Sequence, residues 1–158
     1  MKAISIRQPW VWAILFAGKT VENRSWTPHG PNMRQARVVL GETIALHASK
    51  GMTRAEYFDF VETYQAIETG HRDLADPSNP RFGKQTRVEI PKMDDLARGG
   101  IVGTARFTTI VDESDSPWFF GPFGLVLADA KPCSLIPFTG SLGFFDVPDS
   151  VAREALAA

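Results

Sequence analysis

Lys19, Glu22 and Arg24 fall within six residues, in the stretch GKTVENRSW, and their types suit work on an anion or an acyl group. On an extended strand, Glu22 and Arg24 are two apart and share a face. Lys19 sits where the chain turns into that strand, so curvature can swing its ammonium toward the same side. Lys19 and Arg24 would then hold an anion such as a phosphate. Glu22 would either pair with Arg24 or remove a proton. The plainer alternative is a surface network of ion pairs, which contributes little. Further candidates surround this trio. Arg7, Gln8 and Trp10 stand at a strand-to-helix junction, suited to contacting a base and its phosphate, with Trp10 equally suited to anchoring a helix in the core. Thr20 and Lys50 are polar neighbours in sequence, and Phe120 belongs to an aromatic cluster, WFFGPFG. His47 closes the apolar run IAL and reads either as a buried, hydrogen-bonded imidazole or as a cleft acid or base.

The elements that must place these residues follow from periodicity. AISI (3–6) reads as a strand. QPWVWAILFAG reads as a helix with Pro9 at its first helical position and Gly18 at its end. GKTVENRSW follows as a strand lacking an apolar face. Pro28, Gly30 and Pro31 mark a loop, and RVVLGETIALHAS reads as two strand-like stretches split by Gly41. TRAEYFDFVETYQAIETG (53–70) is the clearest helix, with Thr53 and Glu56 spaced as a capping box. Its aromatic stripe is expected to be core. Residues 71–91 read as a long loop or insertion. MDDLARGG is a short helix, and GGIVGTARFTTIVDE, WFFGPFGLVLADAKP and SLGFFDVP are strands. PDSVAREALAA is a terminal helix capped by Asp149 or Ser150. Strands dominate without a βαβ rhythm. The expected fold is α+β: one domain over residues 1–158, a small mixed β-barrel of about five to six strands with flanking helices.

Composition narrows the function classes. Charged residues are 22% and hydrophobic ones 44%, the balance of a chain that buries a core. The longest apolar run is about half of the roughly 20 residues that span a bilayer, so no membrane role is expected. The lone Cys133 excludes an internal disulfide and suits a cytoplasmic location. Three scattered histidines and one cysteine show no metal spacing, and no nucleotide-cofactor loop is present; no metal and no cofactor are expected. HRDLADPSN (71–79) resembles a kinase catalytic loop only superficially. The net charge of −1 conceals eight Lys/Arg against two acids in residues 1–54. That basic third indicates a local anion site rather than broad nucleic-acid affinity.

Four segments read jointly carry a resemblance: SIRQPW, the Lys-x-x-Glu-x-Arg pattern at Lys19, Glu22 and Arg24, LHAS (46–49) and WFFGPFG. Together with GGIVGTARF they resemble the ASCH domain family, relatives of the PUA-like RNA-binding fold, over about four fifths of the chain. One departure is that Gly18 abuts Lys19, where the family pattern has an intervening residue. The resemblance implies a cationic cleft that recognises RNA or a modified nucleoside. It also implies an alternative: a hydrolase acting on RNA or on acylated nucleosides, as some relatives remove the acetyl group of N4-acetylcytidine with a lysine, a threonine and a glutamate. Lys19 matches that lysine, but the threonine position falls on Glu22, with Thr20 two residues away. Water activated by Glu22, with Lys19 stabilising the oxyanion, is the expected route; RNA cleavage would use Glu22 or His47 on the 2′-hydroxyl.

Overall fold

The computed structural model of the chain describes residues 1–70 and 88–158. Ten regular elements run in the order β1 (Lys2–Ile6), α1 (Trp10–Phe16), β2 (Val21–Arg24), α2 (Pro31–Val38), β3 (Thr43–Ala48), α3 (Arg54–Gly70), β4 (Gly100–Val111), β5 (Phe123–Pro137), β6 (Phe144–Asp146) and α4 (Asp149–Leu156), with a 3₁₀ turn at Met93–Asp95. The six strands among the described residues form one sheet in the order β2-β5-β4-β3-β1-β6, antiparallel except for the β1–β3 pair. The long strands β4 and β5 carry register shifts that bend the sheet into a half-barrel. The expected α+β class and strand number are therefore as found.

Why the sheet curls is visible in its core. Ile4, Ile6, Ile44, Leu46, Phe107 and Leu125 converge on the concave face, where α1 lies across them. Four consecutive residues of α1, Val11 to Ile14, are buried. An all-round apolar helix belongs inside a fold, so α1 plugs the half-barrel. Gly18, at φ +71°, ends it in the left-handed region. The Lys19 amide then donates back to the Ala13 carbonyl at 3.1 Å, fixing the turn that leads into β2.

Helix α3 is held by its capping box. The Glu56 amide donates to the Thr53 hydroxyl, and the Glu56 carboxylate accepts from the Thr53 amide at 2.7 Å. These contacts, with Arg7 at 2.9 Å, hold the Glu56 carboxyl below the usual range. We expect Thr53→Ala to cost about 1 kcal/mol of stability, read from the chemical-denaturation midpoint. Of the aromatic stripe, Phe60 and Tyr64 are buried and Tyr64 stacks on Trp118, whereas Phe58 is exposed.

Three expectations are corrected. The segment read as a loop and a first strand after Trp26 contains α2. Gly30 caps it, Pro31 occupies its first turn, and Met33 and Ala36 supply a buried face. Its end, Val38-Val39-Leu40, mimics a β-branched strand. Helix α4 is capped by Pro148 with no side-chain hydrogen bond, rather than by Asp149 or Ser150. Pro9 is the N-cap of α1 rather than its first helical residue. Residues 71–87 of the expected insertion, with the kinase-like HRDLADPSN, lie outside the described residues; 88–91 form neither helix nor strand.

Candidate functional site

The half-barrel has a seam, and the polar strand lies on it. β2 is one edge of the sheet; β6 is the other, covering β1 only at Lys2–Ile4. Ser5 therefore has no β6 partner. There Arg24, from the opposite edge, donates from Nη2 to the Ser5 carbonyl at 2.8 Å. Trp26 meets Phe144 of β6 edge-on at 6.1 Å, and the Arg24 guanidinium lies 5.3 Å over Trp26. Side chains, not a backbone ladder, thus close this part of the barrel. The gap beside them is a cleft of about 310 Å³ lined by Ser5, Arg7, Trp10, Lys19, Glu22, Asn23, Arg24 and Phe120.

Lys19, Glu22 and Arg24 form one chain of charge in this cleft. Lys19 Nζ donates to Glu22 Oε2 and to the Val21 carbonyl, both at 2.6 Å. Arg24 Nη2 stands 3.3 Å from Glu22 Oε1. Lys19 is 2% exposed, so its ammonium has lost its water shell, and burial pulls its pKa below the ordinary lysine value despite Glu22. Glu22 neutralises one of the two cations, which leaves the trio one positive charge in excess. Because Lys19 is spent within the protein, an anion would meet Arg24 first. Arg24 Nη1 has no partner among the described residues, and its buried Nε is unsatisfied.

The walls are aromatic. Trp10 packs on Phe60 at 5.0 Å and faces Phe120 edge-on at 6.5 Å; the Lys19 ammonium lies 6.0 Å from the Trp10 ring. Phe120 is 57% exposed, a large apolar ring left open to solvent. Asn23 holds it in place: Nδ2 donates to the Trp118 carbonyl and Oδ1 accepts the Phe120 amide, both at 2.8 Å. Asn23 and Ser5 were not singled out by sequence reasoning. A lone amide on an apolar-poor strand is the only signal for Asn23, and Ser5 becomes notable only once the seam is known.

The remaining candidates disperse. Arg7 is on the cleft rim but pairs with Glu56. Gln8 is buried and does not line this cleft. Its Nε2 donates to the Ala97 carbonyl and its Oε1 accepts the Trp12 amide, so it serves the start of α1, beside a separate apolar hollow. Thr20 is exposed and off the cleft lining; its carbonyl accepts the Leu127 amide. His47 and Lys50 line a second cleft, of about 530 Å³, which meets the first at Ser5. His47 Nε2 lies 3.0 Å from the Phe138 carbonyl and so carries the proton, leaving Nδ1 to accept from the Ser5 hydroxyl at 3.0 Å. Burial holds the His47 pKa below 6.5. The unfolded chain then binds more protons between the two values, so stability falls as pH drops below 6.5. Denaturation midpoints across pH should show this loss, and His47→Gln should flatten it.

Among the described residues no group of three or more His, Cys, Asp or Glu could hold a metal ion, and no helix is long and apolar enough to cross a membrane. A scan against protein-family models returns no match to this chain, and a search of curated proteins returns none either.

Proposed function

We propose that the chain is an ASCH-type, PUA-like domain whose seam cleft binds a nucleotide of RNA, one base at a time. A single observation carries this reading: a Lys19–Glu22–Arg24 floor with one positive charge in excess lies beside the Trp10–Phe120 pair, with Arg24 Nη1 left unpartnered among the described residues. A flat heterocycle carries an edge of donors and acceptors between two apolar faces. One face suits the Trp10–Phe120 pair, whose rings meet edge-on, with the exposed Phe120 ring open to it. The edge suits Glu22, whose oxygens retain lone pairs, and a 5′- or 3′-phosphate suits the free nitrogen of Arg24. The volume lies at the lower end for ligand sites, fitting one nucleoside rather than a duplex. A modest excess of one charge also suits a short ligand better than a long polyanion.

Calorimetric titration with unmodified and modified nucleosides and their monophosphates tests it. Saturable binding that Trp10→Ala weakens about tenfold is the expected result. Binding by none of them would remove the reading.

A second reading rests on a different feature of the same floor. A buried lysine whose pKa is lowered by desolvation, 2.6 Å from a carboxylate on a cleft wall, is an arrangement found where acid–base chemistry is done. On an N-acylated nucleoside, Glu22 would take a proton from attacking water as the oxygen bonds to the acyl carbon. The C–N bond would then break, and that proton would leave with the amine. Turnover of N4-acetylcytidine lost in Glu22→Gln would favour this reading over simple binding; no turnover by the wild-type protein would dismiss it.

A further inference from the structure

Resting on the nucleotide-binding reading, we infer that the ligand is at least a dinucleotide: the first cleft takes one base and the second cleft takes the neighbouring nucleotide, with the linking phosphodiester crossing Ser5. The two hollows are separate in outline but share one residue. Ser5 lines both, its carbonyl held by Arg24 on one side and its hydroxyl by His47 on the other. A divide one residue wide is narrower than a nucleotide unit, so a chain occupying the first cleft has the second within reach of its next residue.

The second cleft has its own reasons to take such a unit. It is the larger hollow, about 530 Å³ against 310 Å³. Ser49 Oγ on its wall is buried and has no hydrogen-bond partner among the described residues, so it is a polar group that a ligand in this cleft would pair. Gly140 crosses the Ser5–His47 pair so closely that a Cβ there would stand 2.6 Å from both Ser5 Oγ and His47 Nδ1. Only glycine lets the backbone pack this closely on the pair, so a ligand crossing Ser5 would pass beside its carbonyl, where Arg24 stands, and not over its hydroxyl.

Basic residues border both clefts. The Arg7 guanidinium on the rim of the first cleft lies against Gly51, where a Cβ would meet Nη2 at 3.2 Å. Lys50, the preceding residue, lines the second cleft and has no ion-pair partner among the described residues. Its stem packs over Gly99, where a Cβ would lie 3.1 Å from Cγ. A phosphodiester passing Ser5 would have Arg24 on the side of the first cleft and Lys50 on the side of the second, Arg7 being already paired with Glu56.

The test compares the four common ribonucleoside monophosphates with the ribodinucleotides built from them, by calorimetric titration of the whole chain. The tightest dinucleotide is expected to bind about tenfold or more tightly than its tightest component. Lys50→Ala should weaken dinucleotides about fivefold and Lys50→Glu more, with mononucleotide affinity unchanged for both. Lys50 is exposed, so thermal midpoints should match wild type and exclude a folding effect. Equal affinity for mononucleotides and dinucleotides would overturn this inference and leave the single-base reading standing. So would a loss in Lys50→Ala shared by mononucleotides. No binding by either class would overturn both.

Discussion

Glu22→Gln is expected to lower stability by about 3 kcal/mol near neutral pH, the larger of the effects anticipated on the fold itself. The reason is the ammonium at position 19. It is almost fully enclosed, and Glu22 supplies its only carboxylate among the described residues. A glutamine can still accept a hydrogen bond but cannot offset the charge. Lys19→Met should cost less, about 1 to 2 kcal/mol, because Glu22 keeps Arg24 and borders the cleft. The double variant should recover part of the loss, since the partnerless charge is gone. The pH dependence has a definite sign. Burial holds the folded pKa of Lys19 below 10.5, so between those values the unfolded chain binds more protons and stability rises with pH. Without Glu22 that window extends downward. The Glu22→Gln deficit should therefore shrink as pH is raised toward 10.5. Urea melts of the four proteins at two pH values measure all of this; a Glu22→Gln curve superimposed on wild type would mean the ammonium is solvated.

The second large effect concerns ligand rather than fold. Arg24→Met should weaken nucleoside monophosphates by roughly 10- to 100-fold, the worth of a charge-assisted contact in a partly enclosed site. Nucleosides lacking the phosphate should lose far less. The contrast matters because Arg24 also latches the seam through the Ser5 carbonyl. Loss of that latch alone would weaken both ligand classes alike, so equal losses would assign Arg24 to closure and not to anion recognition. Methionine preserves much of the stem that lies over Trp26.

How much of this was legible in the sequence differs by the kind of information involved. Short-range rules worked. Period two places Glu22 and Arg24 on one face, and the two do meet on one side of β2. The capping box at Thr53 and Glu56 forms as spaced. Gly18 ends its helix with positive φ. These depend on a few neighbouring residues, which the sequence displays directly. Helix α2 failed because two local signals compete: Pro31 can open a helix or a turn, and Val38-Val39 favours a strand. The packing of Met33 and Ala36 decides it. The cleft's closure was not legible at all. Arg24 on Ser5, and Asn23 holding Phe120 across 97 positions of chain, depend on sheet order and on β6 stopping short of Ser5. The same order explains why His47 and Glu22, both plausible bases by type, face different hollows.

Burial also separates Lys19 from the role its charge suggests. A basic residue in a basic third of the chain reads as an anion holder, but here the ammonium is consumed by Glu22 and Val21. Its contacts there hold the Glu22 carboxylate in place. On the proposed reading, the phosphate contact then falls to Arg24.

A base seated against the Trp10–Phe120 pair, above the Lys19–Glu22–Arg24 floor, is tested most directly by a nuclear magnetic resonance titration of the isotope-labelled protein with ribonucleoside monophosphates. The account predicts saturable, concerted shifts of the Trp10 indole N–H, the Phe120 amide and the Arg24 side-chain resonances, with one shared dissociation constant. Saturable shifts confined to other surfaces, with those three signals unmoved, would contradict it.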